Sequence, residues 1–335
     1  MQQNQEKNSL PNISICTPTF NRRPFIPFLI KCIEQQTYPR EKIEWVVVDD
    51  GMDKIGDLIS NISTININYI SLPHKITLAK KRNLMNHEAK GDILVYMDDD
   101  DYYPPERVYH AVETLLNNPH ALCVGSSQMT LYFNNDGKMM DFGPYGENHA
   151  TAATMAFRKE LLQLTQFNEE DSVGEEKYFL KNYTIPFAQL DTKKTILVFN
   201  HSQNSCDRTP LLDTTKYNAK CRESQFIISD FMCNNQEMIE FYTRSLNNIL
   251  EQYPLGSLEY KPDVIKKKDD LAIKRKEKEN QILQNKLQSL TKTCSHQCIA
   301  IQQIMEENRQ LMEKNKYLET KITELISKFK IVEKK

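Results

Sequence analysis

Glycine is scarce in this sequence, with 9 residues in 335, and the usual glycine-rich phosphate loops are missing. Neither GxGxxG nor GxxxxGK[S/T] occurs, and the first predicted strand is followed by PTFNR rather than by a glycine turn. Such loops cradle the phosphates of dinucleotides and nucleoside triphosphates with backbone N–H groups. Their absence excludes the Rossmann dinucleotide and P-loop classes, so a bound diphosphate would need a metal ion to hold it.

Other features are absent as well. No apolar run approaches the roughly 18–20 residues of a membrane span, and the first residues contain no hydrophobic signal segment. The 8 cysteines lack CxxC or metal-ligand spacing, which favours free thiols in a reducing compartment. The net charge of −2 provides no basic field for nucleic acid. We therefore expect a cytoplasmic protein with no membrane span and no nucleic-acid partner.

A run of four aspartates, residues 98–101, follows the apolar segment ILVYM at 93–97. This segment is typical of a strand buried inside a parallel sheet, and Pro104 and Pro105 end it. The acids would then lie at the carboxyl end of a central strand, where open α/β sheets bind ligands. Adjacent carboxylates repel one another unless a cation neutralises them, and their oxygens suit Mg²⁺ or Mn²⁺. The pattern predicts a divalent-metal site for a phosphate-bearing ligand, with a solvated acidic turn as the alternative.

The order of predicted elements is typical of a doubly wound α/β sheet. Strands are predicted at 12–17, 43–48, 65–70, 93–97 and 121–124, with helices between them. After Gly125 the pattern changes, and a hairpin is predicted around Asn135-Asp136-Gly137. An α/β half is therefore expected to continue into a mixed half on one continuous sheet. Residues 216–252 are predicted to be helical and to pack on this body.

Several short motifs resemble, in their order and spacing, the nucleotide-sugar half of glycosyltransferase family 2, which has the GT-A fold. The motifs are SICTPTFNR at 14–22, EWVVVDDG at 44–51, KRN at 81–83 and YMDDDDYYPPERV at 96–108. The resemblance covers residues 12–205. It implies a metal-dependent, inverting transferase that uses Mn²⁺ or Mg²⁺ and a nucleoside-diphosphate sugar, with UDP as the favoured nucleotide.

The resemblance also implies roles for residues on the donor side. Those that match the family's nucleotide-binding positions are Thr19, Phe20, Asp50, Arg82 and Asp99. Asp98 and Asp100 match the metal-binding DxD motif, with Asp100 as the direct ligand, and His201 matches a histidine that completes the metal shell. The alternatives are a surface cation at Arg82 and a purely structural His201.

On the acceptor side, FNEEDSVGEEKYFL at 167–180 resembles the family's Gly-Glu-Asp stretch, whose last acid is the general base. Glu176 occupies that position, with Glu175 beside it, although glutamate here replaces aspartate. An inverting transfer needs a carboxylate to take the proton from the acceptor hydroxyl. Either glutamate could serve, and Asp171 is a third candidate. Asn148 and His149 are assigned to the acceptor pocket from their location alone.

From Asp269 onward, glycine and proline vanish and charge dominates. With Ile273 at an a position, alternate steps of three and four residues reach mostly Leu and Ile as far as Phe329, which predicts a coiled coil. Three asparagines at a positions favour a parallel, two-stranded coil. They are Asn280, Asn308 and Asn315.

The predicted organisation is a flexible tail at 1–10, a GT-A domain at 11–252, a linker at 253–268 and a coiled-coil homodimerisation segment at 269–335. Truncation after about Leu255 is expected to leave an active monomer. The leading hypothesis is a hexosyl- or N-acetylhexosaminyl-transferase whose acceptor no motif specifies. The alternatives are a non-catalytic sugar-binding or scaffold protein on the same fold, and a sugar-1-phosphate nucleotidyltransferase, which would need glycines after the first strand.

Overall fold

The computed structural model describes residues 10–205, 208–212, 220–233 and 235–332. The chain divides into two compact units, the first ending at Lys268 and the second beginning at Asp269. Within the described ranges, no helix combines the length and apolar character needed to cross a membrane.

Strands of the first unit form two sheets. In chain order they are β1 (Ile13–Thr19), β2 (Ile43–Asp49), β3 (Asn66–Ser71), β4 (Ile93–Tyr96), β5 (Cys123–Gly125), β6 (Met129–Phe133), β7 (Lys138–Phe142), β8 (Ala156–Arg158), β9 (Phe187–Gln189), β10 (Leu197–Asn200) and β11 (Cys221–Glu223). The larger sheet has the order β3-β2-β1-β4-β8-β5-β9. Its first four strands are parallel, which agrees with the predicted α/β half. Every residue of β1, β2 and β4 is buried, as expected for strands covered on both faces.

The prediction of one continuous sheet was wrong. A second sheet has the order β10-β6-β7-β11. The hairpin β6–β7 pairs with β10 rather than with β5, while β8 lies antiparallel between β4 and β5 and takes the place that a further parallel strand would fill. A bridge between Tyr102 and Leu197 joins the segment after β4 to β10. This bridge brings the end of the second sheet to the acid run.

The helices flank the sheets and connect them. They are α1 (Ile26–Glu34), α2 (Gly56–Ile59), α3 (Leu78–Glu88), α4 (Arg107–Asn117), α5 (Glu176–Phe179), α6 (Ile228–Phe231), α7 (Gln236–Glu240), α8 (Leu246–Gln252) and α9 (Pro262–Val332). Short 3-10 turns also occur at Arg40–Lys42, Ala152–Thr154, Lys159–Gln163, Thr192–Lys194, Thr209–Leu212, Pro254–Gly256 and Leu258–Tyr260. A π-helical turn, Phe241–Ser245, joins α7 to α8.

The predicted helix at 216–252 is therefore broken. Its described part includes β11 and three short helices, while residues 216–219 and 234 lie outside the described ranges.

The loops after β1 and β2 approach each other closely at the carboxyl edge of the larger sheet. A Cβ atom on Gly51 would lie 2.6 Å from the backbone nitrogen of Asn21. Asn21 itself has a φ of 51°, and its Oδ1 accepts hydrogen bonds from the backbone N–H groups of Met52 and Asp53 at 2.7 and 3.1 Å. Glycine is needed at position 51 because only its missing side chain permits this approach. The contact draws the polar residues that follow both strands to one edge.

The second unit consists of the continuation of α9 to Val332. Most of the large apolar side chains described in this unit are exposed, and Leu287, for example, retains 66% of its accessible surface. Intrahelical ion pairs such as Arg309 Nη2 to Glu306 Oε1, at 2.8 Å, lie along the same helix. The long C-terminal helix is thus confirmed, while its pairing into a coiled coil stays a prediction.

Candidate active site

An ion-pair chain runs from the acid run to the start of α5. Arg82, on α3, is 1% exposed; its Nε donates to Glu175 Oε1 at 2.8 Å and its Nη2 lies 3.3 Å from Asp98 Oδ1. Burial opposes its charge, yet the carboxylates of Asp98 and Glu175 raise the pKa of Arg82 above its ordinary value. The guanidinium centre also lies 4.7 Å from the centroid of the Tyr96 ring. Arg82 is therefore not a surface cation, and its role in binding the nucleotide stays a prediction.

Arg22, to which the sequence prediction gave no role, binds the other acids of the run. It is buried in the loop after β1, with Nε 3.5 Å from Asp99 Oδ1 and Nη2 3.3 Å from Asp100 Oδ2. The same Nη2 donates to the carbonyl of Gln203 at 2.9 Å. Burial and the neighbouring Asp100 raise the pKa of Asp99 to about 7. The asparagine-arginine pair directly after a buried strand was the signal that could have marked Arg22.

His201 reaches the acid run from the end of β10. Its buried ring places Nε2 3.3 Å from Asp100 Oδ2, and its Nδ1 accepts the backbone N–H of Gln203 at 3.2 Å. Burial lowers the pKa of His201 to about 4, so the imidazole is neutral at pH 7. Although burial alone would raise it, the contacts with His201 and Arg22 lower the pKa of Asp100.

The fourth acid of the run, Asp101, has a structural role. Its Oδ1 accepts the backbone N–H of Phe199 at 3.2 Å, and its carbonyl accepts the Tyr242 hydroxyl at 3.2 Å. Burial raises the pKa of Asp101 well above its ordinary value. Asp101 therefore ties the end of β4 to β10 instead of facing a ligand.

Asp100 and His201 form the best donor pair for a divalent cation. Their Oδ2 and Nε2 atoms are 3.3 Å apart, and both are atom types that Mn²⁺ accepts. In the part of the chain that the structure describes, no three His, Cys, Asp or Glu side chains converge as a metal cluster, because arginines engage the neighbouring carboxylates. Because Nδ1 accepts a hydrogen bond, the neutral ring carries its proton on Nε2 and donates it to Asp100. Asp100 and, once this proton has left, His201 would bind a cation that takes its other ligands from substrate phosphates and water, as Mg²⁺ commonly does.

Asp98, Asp99 and Asp100 of the acid run line a cavity of about 120 Å³. The lining side chains with ionisable or aromatic groups include Phe20, Arg22, Lys81, Asp99, Asp100 and Lys261. Four separate parts of the chain supply them: the loop after β1, helix α3, the acid run after β4, and the segment after α8. The cavity therefore combines acids that suit a cation with cations that suit an anion.

The predicted nucleoside-binding residues meet at Lys81. Its Nζ pairs with Asp50 Oδ1 at 2.8 Å, donates to the carbonyl of Thr19 at 3.2 Å and lies 5.8 Å from the ring centroid of Phe20. The other Asp50 oxygen accepts the backbone N–H of Ile76 at 2.7 Å. Phe20 lines the cavity, whereas Thr19 and Asp50 are buried behind it. Asp50 thus reaches the cavity through Lys81, to which the sequence prediction gave no role.

The adjacent glutamates at the start of α5 lie in different surroundings. Glu175 is 3% exposed and accepts the hydrogen bond from Arg82. Glu176 is partly buried and, within the described residues, makes no side-chain hydrogen bond or ion pair with another residue. Burial and the neighbouring Glu175 raise the pKa of Glu176 to about 7. An unpaired carboxylate with a pKa near neutrality suits a general base, while Glu175 suits the role of holding Arg82.

The two residues assigned to the acceptor pocket lie away from the cavity lining. Asn148 Nδ2 donates to the carbonyl of Tyr183 at 3.2 Å, and the His149 ring packs 5.0 Å from the Tyr183 ring and 5.2 Å from the Tyr145 ring. Their role in acceptor binding stays a prediction. Asp171, the third candidate base, pairs with Lys267 at 2.5 Å.

Residues 253–268, here called the strap, were predicted to be a linker but contact the cavity walls. The strap contains two 3-10 turns and the start of α9. Asn21 Nδ2 donates to the carbonyl of Leu255 at 2.9 Å, and Arg22 Nη1 donates to the carbonyl of Gly256 at 3.3 Å. A Cβ on Gly256 would lie 2.0 Å from Gln203 Oε1. Proline and glycine correctly predicted a turn here. They did not predict the surface against which the turn packs.

The comparison with protein families decides the family of this chain. Residues 14–181, just over half of the 335, match the family model described as Glycosyl transferase family 2. The chain belongs to glycosyl transferase family 2. The acid run, Arg82 and both glutamates of α5 lie inside the span that matches family 2, whereas His201 and the strap lie outside it.

Family 2 relatives with curated names come from several bacteria. An uncharacterized glycosyltransferase of Haemophilus influenzae is 29% identical over 108 residues, which cover 32% of this chain and 36% of that protein. The poly(ribitol-phosphate) beta-N-acetylglucosaminyltransferase TarS of Staphylococcus aureus is 28% identical over 101 residues, covering 29% of this chain and 18% of TarS. The GalNAc(5)-diNAcBac-PP-undecaprenol beta-1,3-glucosyltransferase of Campylobacter jejuni is 26% identical, covering 48% of this chain and 56% of that protein. The chain thus spans less than two thirds of the length of each of these three.

Two solved structures are similar to this chain over slightly more than half of its length. S. aureus TarS 1–349 in complex with UDP-GlcNAc gives a TM-score of 0.47 at 19% identity, covering 56% of this chain and 58% of that chain. The mannosyltransferase PcManGT from Pyrobaculum calidifontis, in complex with GDP-Man and Mn²⁺, gives a TM-score of 0.46 at 19% identity, covering 57% of each chain.

Proposed function

We propose that this family 2 protein transfers a hexosyl or N-acetylhexosaminyl group from a nucleoside-diphosphate sugar, with UDP as the favoured nucleotide, to an acceptor hydroxyl. The observation that carries the proposal is that the acids lie in two kinds of surroundings, which suit two different roles. Asp100 and His201 form a donor pair beside a cavity lined by cations. Glu176 remains unpaired with a pKa raised to about 7.

On the donor side, the cavity residues bind the nucleotide and its phosphates. Phe20 offers an aromatic face, and Lys81, held by Asp50, offers a positive charge beside it. Asp100 and His201 would hold Mg²⁺ or Mn²⁺, which when bound supplies positive charge to the leaving diphosphate. Arg22 orients Asp100 through the contact of its Nη2 with Oδ2 at 3.3 Å.

On the acceptor side, Glu176 takes the proton of the acceptor hydroxyl while that oxygen attacks the anomeric carbon. The bond from this carbon to the diphosphate oxygen breaks on the opposite face, so the anomeric configuration inverts. Two relatives support this direction, because their names specify beta products and inversion of an alpha-linked donor yields a beta linkage. The Arg82–Glu175 pair fixes the start of α5 and hence the position of Glu176.

We also propose that the second unit pairs with a second copy as a parallel coiled coil. The apolar side chains at the predicted heptad positions are exposed, including Leu283 at 63%, Leu287 at 66% and Leu290 at 59%. Leucines kept in one register along a solvated helix gain stability by covering one another in a dimer.

The proposal is tested by UDP release from UDP-glucose and UDP-N-acetylglucosamine, with water as the acceptor and Mn²⁺ present. The wild-type chain should release UDP, while EDTA or Asp100→Ala should remove most of the rate, because the leaving diphosphate loses its counter-charge. Asp136→Ala, which removes an exposed aspartate of the hairpin turn, is the matched control and should be fully active.

Two outcomes would contradict the proposal at different points. Full activity in EDTA would exclude the metal. If NMR at early times shows that the released sugar keeps the anomeric configuration of the donor, inversion is excluded.

A further inference from the structure

Lys261 is a buried amine without an anionic partner. It lies on the strap, is 4% exposed and lines the cavity. Its Nζ donates to the carbonyl of Gln203 at 3.1 Å, and among the described residues no carboxylate lies within 4.0 Å of it. An ammonium group carries three donors, so the protein uses one and leaves two.

The acids near Lys261 already have other partners. Asp99 and Asp100 contact Arg22, and Asp50 pairs with Lys81. Burial and Arg22 lower the pKa of Lys261 to about 6, whereas an anion placed in the cavity would favour its charged form. A polar group is seldom buried with most of its donors unused unless a ligand completes its surroundings.

The size of the cavity indicates which part of a donor would fill it. Its volume of about 120 Å³ is below the roughly 300–1,000 Å³ of sites that enclose a whole small-molecule ligand. A compact anionic group such as a diphosphate fits this space, and the rest of a nucleotide sugar would extend beyond it. The strap is fixed over this space because Asp263 contacts Lys75 and accepts the Ser172 hydroxyl at 2.7 Å.

We propose that Lys261 binds a phosphate oxygen of the nucleoside-diphosphate donor, so that the strap completes the diphosphate site from outside the span that matches family 2. The inference rests on the proposed function, since it assigns a further binding residue to the same donor. It adds a contact from a part of the chain that carries none of the motifs by which the donor site was found.

The test is calorimetric titration of the full chain with UDP, uridine and inorganic pyrophosphate in the presence of Mn²⁺. Lys261→Met keeps the aliphatic stem and removes the charge, so it should weaken UDP and pyrophosphate binding by about 10- to 100-fold, the range for a lost hydrogen bond to a charged group. Uridine, which has no phosphate, should bind as before. Lys266→Met, in the same strap but exposed, is the control and should bind all three as the wild type does.

Two further measurements make the outcome decisive. Lys261→Gln keeps a donor for the Gln203 carbonyl, so it separates loss of charge from loss of fold. In the wild type, labelling of Lys261 by an amine-reactive reagent, read by peptide mass spectrometry, should slow with UDP and not with uridine. This protection does not depend on any variant folding.

The inference and the proposed function fail in different ways. If the wild type does not bind UDP, the proposed donor is wrong and the role of Lys261 falls with it. If the wild type binds UDP but the Lys261 variants bind it equally well, or lose uridine as much as UDP, the role of Lys261 is overturned while the donor stands. Unchanged labelling of Lys261 in saturating UDP would also overturn it.

Discussion

The two units of this chain place charged and apolar side chains in opposite ways. In the first unit, Arg82, Lys81 and Asp99 are buried and each contacts an opposite charge, while in the second unit leucines such as Leu287 are exposed beside equally exposed charges. Buried charge is costly and is concentrated at sites of chemistry. An exposed apolar row at heptad spacing is typical of helices that pair in coiled coils. Single substitutions of these buried charges should therefore disable the first unit. Substitutions in the second unit should instead affect assembly.

The largest effect is expected at Glu176. Glu176→Gln keeps the shape of the side chain but removes its basicity, so kcat should fall by about 10²- to 10⁴-fold while donor affinity stays almost unchanged. The measurement is steady-state transfer together with calorimetric UDP binding.

Glu175→Gln is the matched comparison for this substitution, since it changes the neighbouring residue in the same way. It should act on stability, because the buried Arg82 loses a charged partner at 2.8 Å, and a cost of about 1–3 kcal/mol in the free energy of unfolding is expected. If Glu175→Gln shows the loss of kcat and Glu176→Gln does not, the base is Glu175.

A stability effect of similar importance is expected at Asp50. Its carboxylate is fully buried against Lys81, so Asp50→Ala should lower the free energy of unfolding by about 3–5 kcal/mol through the uncompensated lysine, and should also weaken UDP binding. Asp57→Ala breaks an exposed pair with Arg23 at 2.9 Å and should change little. Equal unfolding midpoints in urea for the two variants would contradict the buried-pair argument.

A smaller, graded effect is expected with pH. Glu176 must be deprotonated to accept a proton, and its pKa is raised to about 7 by burial and by Glu175, with Arg82 and Asp171 as its other charged neighbours. The value of kcat/KM should therefore reach a plateau above pH 7 and fall by about tenfold per pH unit below it. The residual activity of Glu176→Gln should lack this slope. A wild-type profile that is flat between pH 5.5 and about 8 would remove the assignment.

The smallest effect on activity is expected from removing the second unit. A chain that ends at Lys268 should keep the kcat of the full chain but sediment as a monomer, whereas the full chain should sediment as a dimer. A chain that ends at Leu255 should lose donor binding, because Lys261, Asp263 and Val264 line the cavity; the expectation that this shorter chain would be active therefore needs correction. A full-length monomer at micromolar concentration would defeat the coiled coil.

Local pattern was enough to predict the strands of the α/β half. An apolar run such as Ile93–Tyr96 has few ways to be buried other than as a central strand, and the acids that follow it must then lie at the edge of the sheet. The second sheet could not be predicted in the same way, because the partner of the β6–β7 hairpin is a strand more than 50 residues further along the chain.

The basic residues that contact the acids were harder to predict from the sequence than the acids themselves. Lys81 and Arg82 lie next to each other on α3, where charged residues usually face water, and burial of both follows from acids supplied by distant strands. Lys261 follows a proline-glycine turn whose sequence resembles any linker. Ion pairing across the fold positions Lys81 and Arg82, and the hydrogen bond to the Gln203 carbonyl positions Lys261. Local sequence carries no record of either.

During synthesis, the cavity of the first unit is completed only after the strap has emerged from the ribosome. Pro18 and Val264 line the same cavity, and at ~5–20 residues per second roughly 12–50 s separate their emergence from the ribosome. The acid run, α5 and β10 are all made before Lys261 exists. A chain released early, for example by a premature stop codon after residue 205, would carry the whole span that matches family 2 but would lack the strap residues that line the cavity.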